Sequence, residues 1–381
     1  MAEGTAIEMR ELIYLDNAAT TMKKPQSVKT AVIKWCRCGN AGRGSHRAAL
    51  AAAEKIYECR ELAARLFGAK AENVVFTNNA TTALNMAIKG FIPDNSHIIT
   101  SDFEHNSVRR PVLKLCRDNG CRRDVFVSER QDMILRNVEK MINNETSALV
   151  CLHRSNITGR TMPIKKIGEL CRRKGIAFIV DASQSAGNAD IDIERDHIDI
   201  LCLAGHKGLY GPQGTGLLIM RDGVNIKPLL EGGSGTDSKE EDMPDYYPDR
   251  LEAGTLSAMA IAGLGEGIRF VLRTGPKNIH KRERELFVRC RNALDNKKIR
   301  IYDDNCEGAN LLFNIRGKTA AEVSAALDRK GICTRPGLHC APDAHYSLGT
   351  QQDGAVRASF SCFTTEKEID IFAREVIKLT K

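Results

Sequence analysis

Between residues 73 and 220 the chain alternates short apolar, β-branched runs with stretches whose apolar positions recur at helical spacing. The runs are too short for helices and end in polar or glycine-bearing segments, which predicts strands at 73–77, 97–101, 148–153, 176–181, 198–203 and 216–220. Helices are predicted at 81–90, 108–119 and 164–175. Strand and helix in alternation mark an α/β layer with a mostly parallel sheet. The pattern changes after Glu231, where Gly232-Gly233-Ser234-Gly235 and an acidic, proline-bearing stretch to Pro248 read as a long loop and a candidate lid. Helices at 256–274 and 278–294 follow. A smaller α+β unit then begins, with a strand at 310–315, a helix at 319–330, a loop around Cys340, a strand at 355–360 and a closing helix from 365.

Composition narrows the picture. A chain of 381 residues, 42% hydrophobic, is expected to hold two or three structural units. Glu3, Glu8 and Glu11 interrupt the first fifteen residues, and no window has the roughly 18 uninterrupted apolar residues of a membrane span. Neither secretion nor membrane insertion is therefore expected. The cysteines number 13, an odd count without a CxxC pair, which argues against a disulfide scaffold or zinc ribbon and for a reduced, cytoplasmic setting with no metal. The net charge of +8 lies in positive runs that fall on predicted helices or are broken by acids, so no nucleic-acid partner is expected.

The ends of two predicted strands carry candidate chemistry. One delivers Asp181 and the next leads to Lys207, preceded by His206 and followed by a glycine-rich turn from Gly208 to Gly216. A lysine amine and a carboxylate together suit pyridoxal phosphate: the amine holds the aldehyde as a Schiff base, and the carboxylate keeps the pyridine nitrogen protonated. Ligands of open α/β sheets sit at the carboxyl ends of the strands. There the chain places Ala80 and Thr81, opening a helix whose N–H groups suit a phosphate. His105 follows the second strand, able to stack on a ring, and Asn156 follows the third, able to donate to the ring oxygen or the substrate.

Taken in order, several motifs resemble the cysteine desulfurases of the class V aminotransferase superfamily, which are fold-type I pyridoxal phosphate enzymes. They are Tyr14-Leu15-Asp16-Asn17-Ala18-Ala19-Thr20, Glu104-His105-Asn106, Ser155-Asn156-Ile157-Thr158-Gly159, Asp181-Ala182-Ser183-Gln184, Gly205-His206-Lys207 with Tyr210-Gly211-Pro212, and Glu252-Ala253-Gly254-Thr255. The resemblance implies a mostly parallel, seven-stranded central sheet flanked by helices in a large domain over 21–255. A smaller α+β domain from 1–20 and 256–381 would carry the cysteine loop. It further implies that Lys207 carries the cofactor, Asp181 meets the pyridine nitrogen, His105 stacks on the ring and Gln184 reaches its phenolic oxygen. Thr81 and His206 would hold the phosphate, and Thr255 would do so from the partner subunit of a homodimer. Ala204 stands where the family usually has serine, so one phosphate hydrogen bond is expected to be missing or replaced.

The segment Arg335-Pro336-Gly337-Leu338-His339-Cys340-Ala341-Pro342 resembles the desulfurase cysteine loop. The implied reaction converts L-cysteine to L-alanine, with Lys207 and His105 at the cofactor. Arg357 and Arg335, with Asn156, would hold the substrate. Cys340 would take the sulfur as a persulfide and pass it to an acceptor protein or thiol, as in iron–sulfur cluster assembly. Selenocysteine lyase and another class V aminotransferase or lyase are the rival activities, and Pro336 in place of serine or threonine is expected to stiffen the loop.

Overall fold

The structure, a computed structural model, describes residues 12–42, 44–128, 130–237, 239–303 and 307–381. The start of the expected small domain, residues 1–11, therefore lies outside the described residues. The chain divides into a larger unit of Lys23–Ser155 and Thr161–His280, and a smaller unit of the described residues up to Met22, Asn156–Arg160 and Lys281–Lys381.

The larger unit is built on a seven-stranded sheet. From edge to edge its strands are Val74–Thr77, Gly216–Met220, Ile200–Ala204, Ala177–Asp181, Thr146–Leu152, His97–Ser101 and Arg122–Phe126. Gly216–Met220 runs antiparallel to both neighbours, and the other pairings are parallel. His97–Ser101, Ile200–Ala204 and Gly216–Met220 are buried along their whole length, the signature of strands covered on both faces. Arg122–Phe126, which the hydrophobic pattern does not predict, is a largely exposed edge strand whose charges guard an unpaired edge. Helix Ala80–Phe91 is capped by Asn79, whose side chain accepts from the Thr82 N–H at 2.9 Å. Ala83, Leu84 and Ala87 of this helix pack with Ile98, Val150, Ile179, Ile200 and Leu218 in one core.

Helices Gln26–Trp35 and Arg47–Phe67 both pack against Ala258–Thr274. The expectation that residues 256–280 belong to the small domain is thereby corrected. A Cβ at Gly267 would lie 2.1 Å from the Leu209 carbonyl oxygen, so this helix rests on the turn after Lys207 and belongs to the larger unit. Conversely, Asn156–Arg160, expected in the large domain, belongs to the smaller unit. Gly159 and Gly308 approach so closely that a Cβ on Gly159 would lie 2.8 Å from Gly308 Cα, and Arg160 pairs with Asp303 at 2.8 Å.

The smaller unit holds an antiparallel sheet in the order Arg335–Gly337, Ala355–Ser359, Asn310–Ile315, Ile299–Tyr302, and a two-stranded parallel sheet of Ile13–Tyr14 with Ile332–Cys333. Helices Ala320–Asp328 and Glu366–Lys378 each open with a capping box, Thr319 with Glu322 and Thr365 with Glu368. Phe313 meets Phe372 edge to face at 6.0 Å within a core that includes Leu311, Val356 and Ile369.

Candidate active site

In the larger unit, Asp181 closes its strand in register with Cys202 and is buried. Its Oδ1 accepts from the Ser183 N–H at 2.9 Å and from the Ser183 hydroxyl, which orients the carboxylate at the start of the turn that carries half-buried Gln184. Lys207 stands three residues beyond the neighbouring strand, in a turn closed by Gly205 N–H to Thr215 O at 2.9 Å, Gly211 N–H to Gly205 O at 2.8 Å and Tyr210 N–H to Lys207 O at 2.9 Å. Gly187 joins the two turns. At φ 95° it has left-handed backbone, and a Cβ there would lie 2.0 Å from the Gly208 carbonyl oxygen. The aspartate turn and the lysine turn are therefore in backbone contact. Burial, then the charges of Lys207 and Lys24, lowers His206 to about 4, so its imidazole is neutral near pH 7.

A second connection joins His105 to Thr81. His105 caps helix Asn106–Asp118: its Nδ1 accepts from the Ser107 N–H at 3.1 Å and lies 2.9 Å from Ser107 Oγ. Ser107 Oγ is in turn 2.7 Å from Thr81 Oγ1. The two helices thus begin side by side, and the first N–H groups of an α-helix, here those of Ala80 and Thr81, have no intrahelical acceptor. Thr255 is exposed on the wall of a cavity of about 250 Å³ that Thr77, Asn78, Thr82 and Gly254 also line. The segment before it is pinned by Glu252, which takes the Arg60 guanidinium bidentately at 2.9 Å and the Phe76 N–H at 2.6 Å.

Sequence reasoning assigned no role to Glu104. The structure buries it fully, and desolvation pushes its carboxyl up to about 8. Oε1 accepts from the Leu152 N–H at 3.0 Å and from the Ser101 hydroxyl. It thus ties together the ends of two strands immediately before His105 and His153. Its position in a motif was the available signal.

In the smaller unit, Arg357 is 1% exposed in the middle of its strand. Nη1 donates to the Asn156 carbonyl at 2.8 Å and Nη2 to Asp16 Oδ1 at 2.5 Å, while Nε finds no partner among the described residues. Asn156 donates from Nδ2 to the His339 carbonyl at 2.8 Å, and its buried Oδ1 is likewise unmatched. Asn156, expected to serve the ring oxygen or the substrate, lies with Arg357 and the cysteine segment. Cys340 is exposed, and both it and His339 have left-handed backbone, at φ 59° and 50°. Arg335 Nη2 reaches the Cys340 sulfur at 3.7 Å. Pro336 lies on an edge strand, where a missing N–H is tolerated.

The family model described as aminotransferase class V matches residues 13–372. A probable cysteine desulfurase of Methanothermobacter thermautotrophicus is 31% identical, covering 95% of this chain and 93% of that one. The cysteine desulfurase IscS of Proteus mirabilis is also 31% identical, over 97% and 92%. Among solved structures, the apo cysteine desulfurase of Thermococcus onnurineus NA1 superposes with a TM-score of 0.89 at 31% identity, covering 97% of this chain and 95% of that chain.

Proposed function

The chain belongs to the aminotransferase class V family, and on that premise we propose that it is a cysteine desulfurase that uses pyridoxal phosphate to convert L-cysteine to L-alanine. The residues fit the cofactor: an amine at Lys207 and a buried, oriented carboxylate at Asp181 lie on touching turns, with helix N–H groups at Ala80 and Thr81 in the same unit. Lys207 would hold it covalently, Asp181 would meet its ring nitrogen and Gln184 its ring oxygen. His105 would cover the ring, while Thr81 and neutral His206 would donate to the phosphate. When bound, the cofactor supplies an electron sink for the substrate's α-carbon.

The remaining steps fall to the chain. The unmatched Nε of Arg357 is a buried donor suited to the substrate carboxylate, and the adjoining Asn156 amide offers a second polar group. The Lys207 amine moves the α-proton. Cys340 then takes the substrate sulfur: an S–S bond forms as the substrate C–S bond breaks. The Cys340 sulfur is oxidised to a persulfide, the substrate carbon is reduced to a methyl group, and alanine leaves. Arg335 supplies a cation for the sulfur before and after transfer.

The observation that carries this reading is the exposure of Cys340 beside Arg335, in a chain that also builds the Lys207–Asp181 pair. An accompanying homodimer is supported by exposed Ile33, Leu50, Tyr57 and Met259 on the helices that pack together in the larger unit, and by the exposure of Thr255. Cytoplasmic localisation rests on the cysteine usage. Among the described residues no helix is long and apolar enough to cross a membrane. The test is to supply L-cysteine with a reducing thiol and quantify alanine and sulfide. Wild type should make them in equal amounts and Cys340→Ala should make neither at a comparable rate; a fully active Cys340→Ala variant would overturn the assignment.

A further inference from the structure

The reactive sulfur sits on an unusual piece of backbone. Two successive non-glycine residues, His339 and Cys340, hold positive φ, a conformation that a side chain's Cβ disfavours. Such conformations persist only where the surroundings fix them. The His339 ring supplies one fixing point. Its Nε2 lies 2.9 Å from the Arg335 carbonyl oxygen, which can only accept, so His339 carries its proton on Nε2 and its Nδ1 is bare. That Nδ1 is 3.1 Å from His345 Nε2, which must therefore donate. His345 Nδ1 is left to accept from the Thr350 hydroxyl at 2.7 Å. For two neutral rings this is the single self-consistent set of protons. The rings are nearly parallel, 17° apart, and both are buried.

Burial, with the charges of Arg357 and Arg335, lowers His339 to about 2, and burial lowers His345 to about 4, so both rings are neutral near pH 7. The chain of hydrogen bonds ends at a carbonyl, which has no proton to pass on. Its product is geometry. It clamps the backbone of Arg335, whose guanidinium reaches the Cys340 sulfur, while the His339 carbonyl is held by Asn156, whose own carbonyl takes Arg357.

We propose that Thr350, His345 and His339 form a hydrogen-bonded strut that sets the contact between Arg335 and Cys340, which makes His345 a positioning residue for sulfur transfer although its own hydrogen bonds go to His339 and Thr350. The proposal rests on the reading of Cys340 as the sulfur carrier. Its test has one readout that needs no turnover: the rate at which iodoacetamide alkylates Cys340 at pH 7, followed on the Cys340 peptide by mass spectrometry in the intact protein. Alongside it, kcat and KM for L-cysteine are measured.

In His345→Leu the strut is cut. Alkylation should slow several-fold and kcat should fall by roughly 10- to 100-fold, the scale of a misplacement of about 1 Å, with KM little changed. His345→Gln keeps a donor toward His339 and should recover most of both; Thr350→Val should show a milder loss and serves if the leucine variant does not fold. In an Arg335→Gln background, His345→Leu should add little further loss of alkylation, because the contact that it disturbs is already gone. A folded His345→Leu with wild-type alkylation and kcat, or additive losses in the double variant, would overturn the strut. Should wild type make no alanine at all, the desulfurase reading fails while the alkylation series still decides the strut.

Discussion

Glu104 offers the sharpest test of the larger unit's architecture. It is fully buried, its usual carboxylate range near 4.5 is displaced to about 8 by desolvation, and its Oε1 serves Leu152 N–H and the Ser101 hydroxyl. A folded pKa above the unfolded one stabilises the fold in full below about pH 4.5, and that contribution is lost as pH rises toward 8. At 1.36 kcal/mol per unit, the displacement corresponds to at most about 5 kcal/mol over that window. Glu104→Gln keeps the carbonyl acceptor and removes the ionisation. The difference in stability between wild type and Glu104→Gln should therefore drift against the wild type from pH 4.5 to 8 and flatten above. Glu104→Ala removes the acceptor as well. It leaves a buried N–H and hydroxyl unmatched and opens a cavity, for a loss of about 3–5 kcal/mol. Urea unfolding of the three proteins at a series of pH values measures all of this. A wild-type-minus-glutamine difference that is flat with pH would refute the neutral buried carboxyl.

Three further predictions concern other parts of the fold. Glu252→Ala strands the buried Arg60 guanidinium and should cost about 3–5 kcal/mol in denaturant unfolding. Gly187→Ala forces the aspartate turn off the lysine turn at a backbone φ of 95°, so it should weaken pyridoxal phosphate retention, read as the fraction of cofactor left after dialysis, far more than it lowers Tm. His153, His206, His339 and His345 sit at about 3, 4, 2 and 4, below the ordinary histidine value of 6.5. Their neutral forms contribute stability that is complete above pH 6.5 and is lost as pH falls toward 4, so the urea midpoint should drop between pH 7 and pH 5.

The elements legible in the sequence are those whose apolar runs are buried along all or nearly all of their length. His97–Ser101, Gly216–Met220 and Asn310–Ile315 fall where the pattern places them. Arg122–Phe126 escapes because an edge strand needs no apolar run, and the alternating pattern that begins at residue 73 does not reach the helices Gln26–Trp35 and Arg47–Phe67. The place of Ala258–Thr274 depends on the approach of Gly267 to Leu209, a contact between residues distant in sequence. Lys207 and Asp181 stand out because strand ends are where ligands bind, whereas Glu104, His339 and His345 acquire their roles only through burial and partners that the sequence does not display. Arg357 is named by the resemblance, but its bonds to Asp16 and the Asn156 carbonyl join residues distant in sequence and are visible only in the fold.

The central claim is that Cys340 receives sulfur from L-cysteine. Brief exposure of the protein, loaded with pyridoxal phosphate and free of reducing thiol, to L-cysteine, followed by peptide mass spectrometry, tests it directly. The account predicts one added sulfur atom on the Cys340 peptide for each alanine released, and none in Lys207→Ala. Alanine released with no sulfur on Cys340, or sulfur carried by another cysteine such as exposed Cys36 or Cys38, would contradict it.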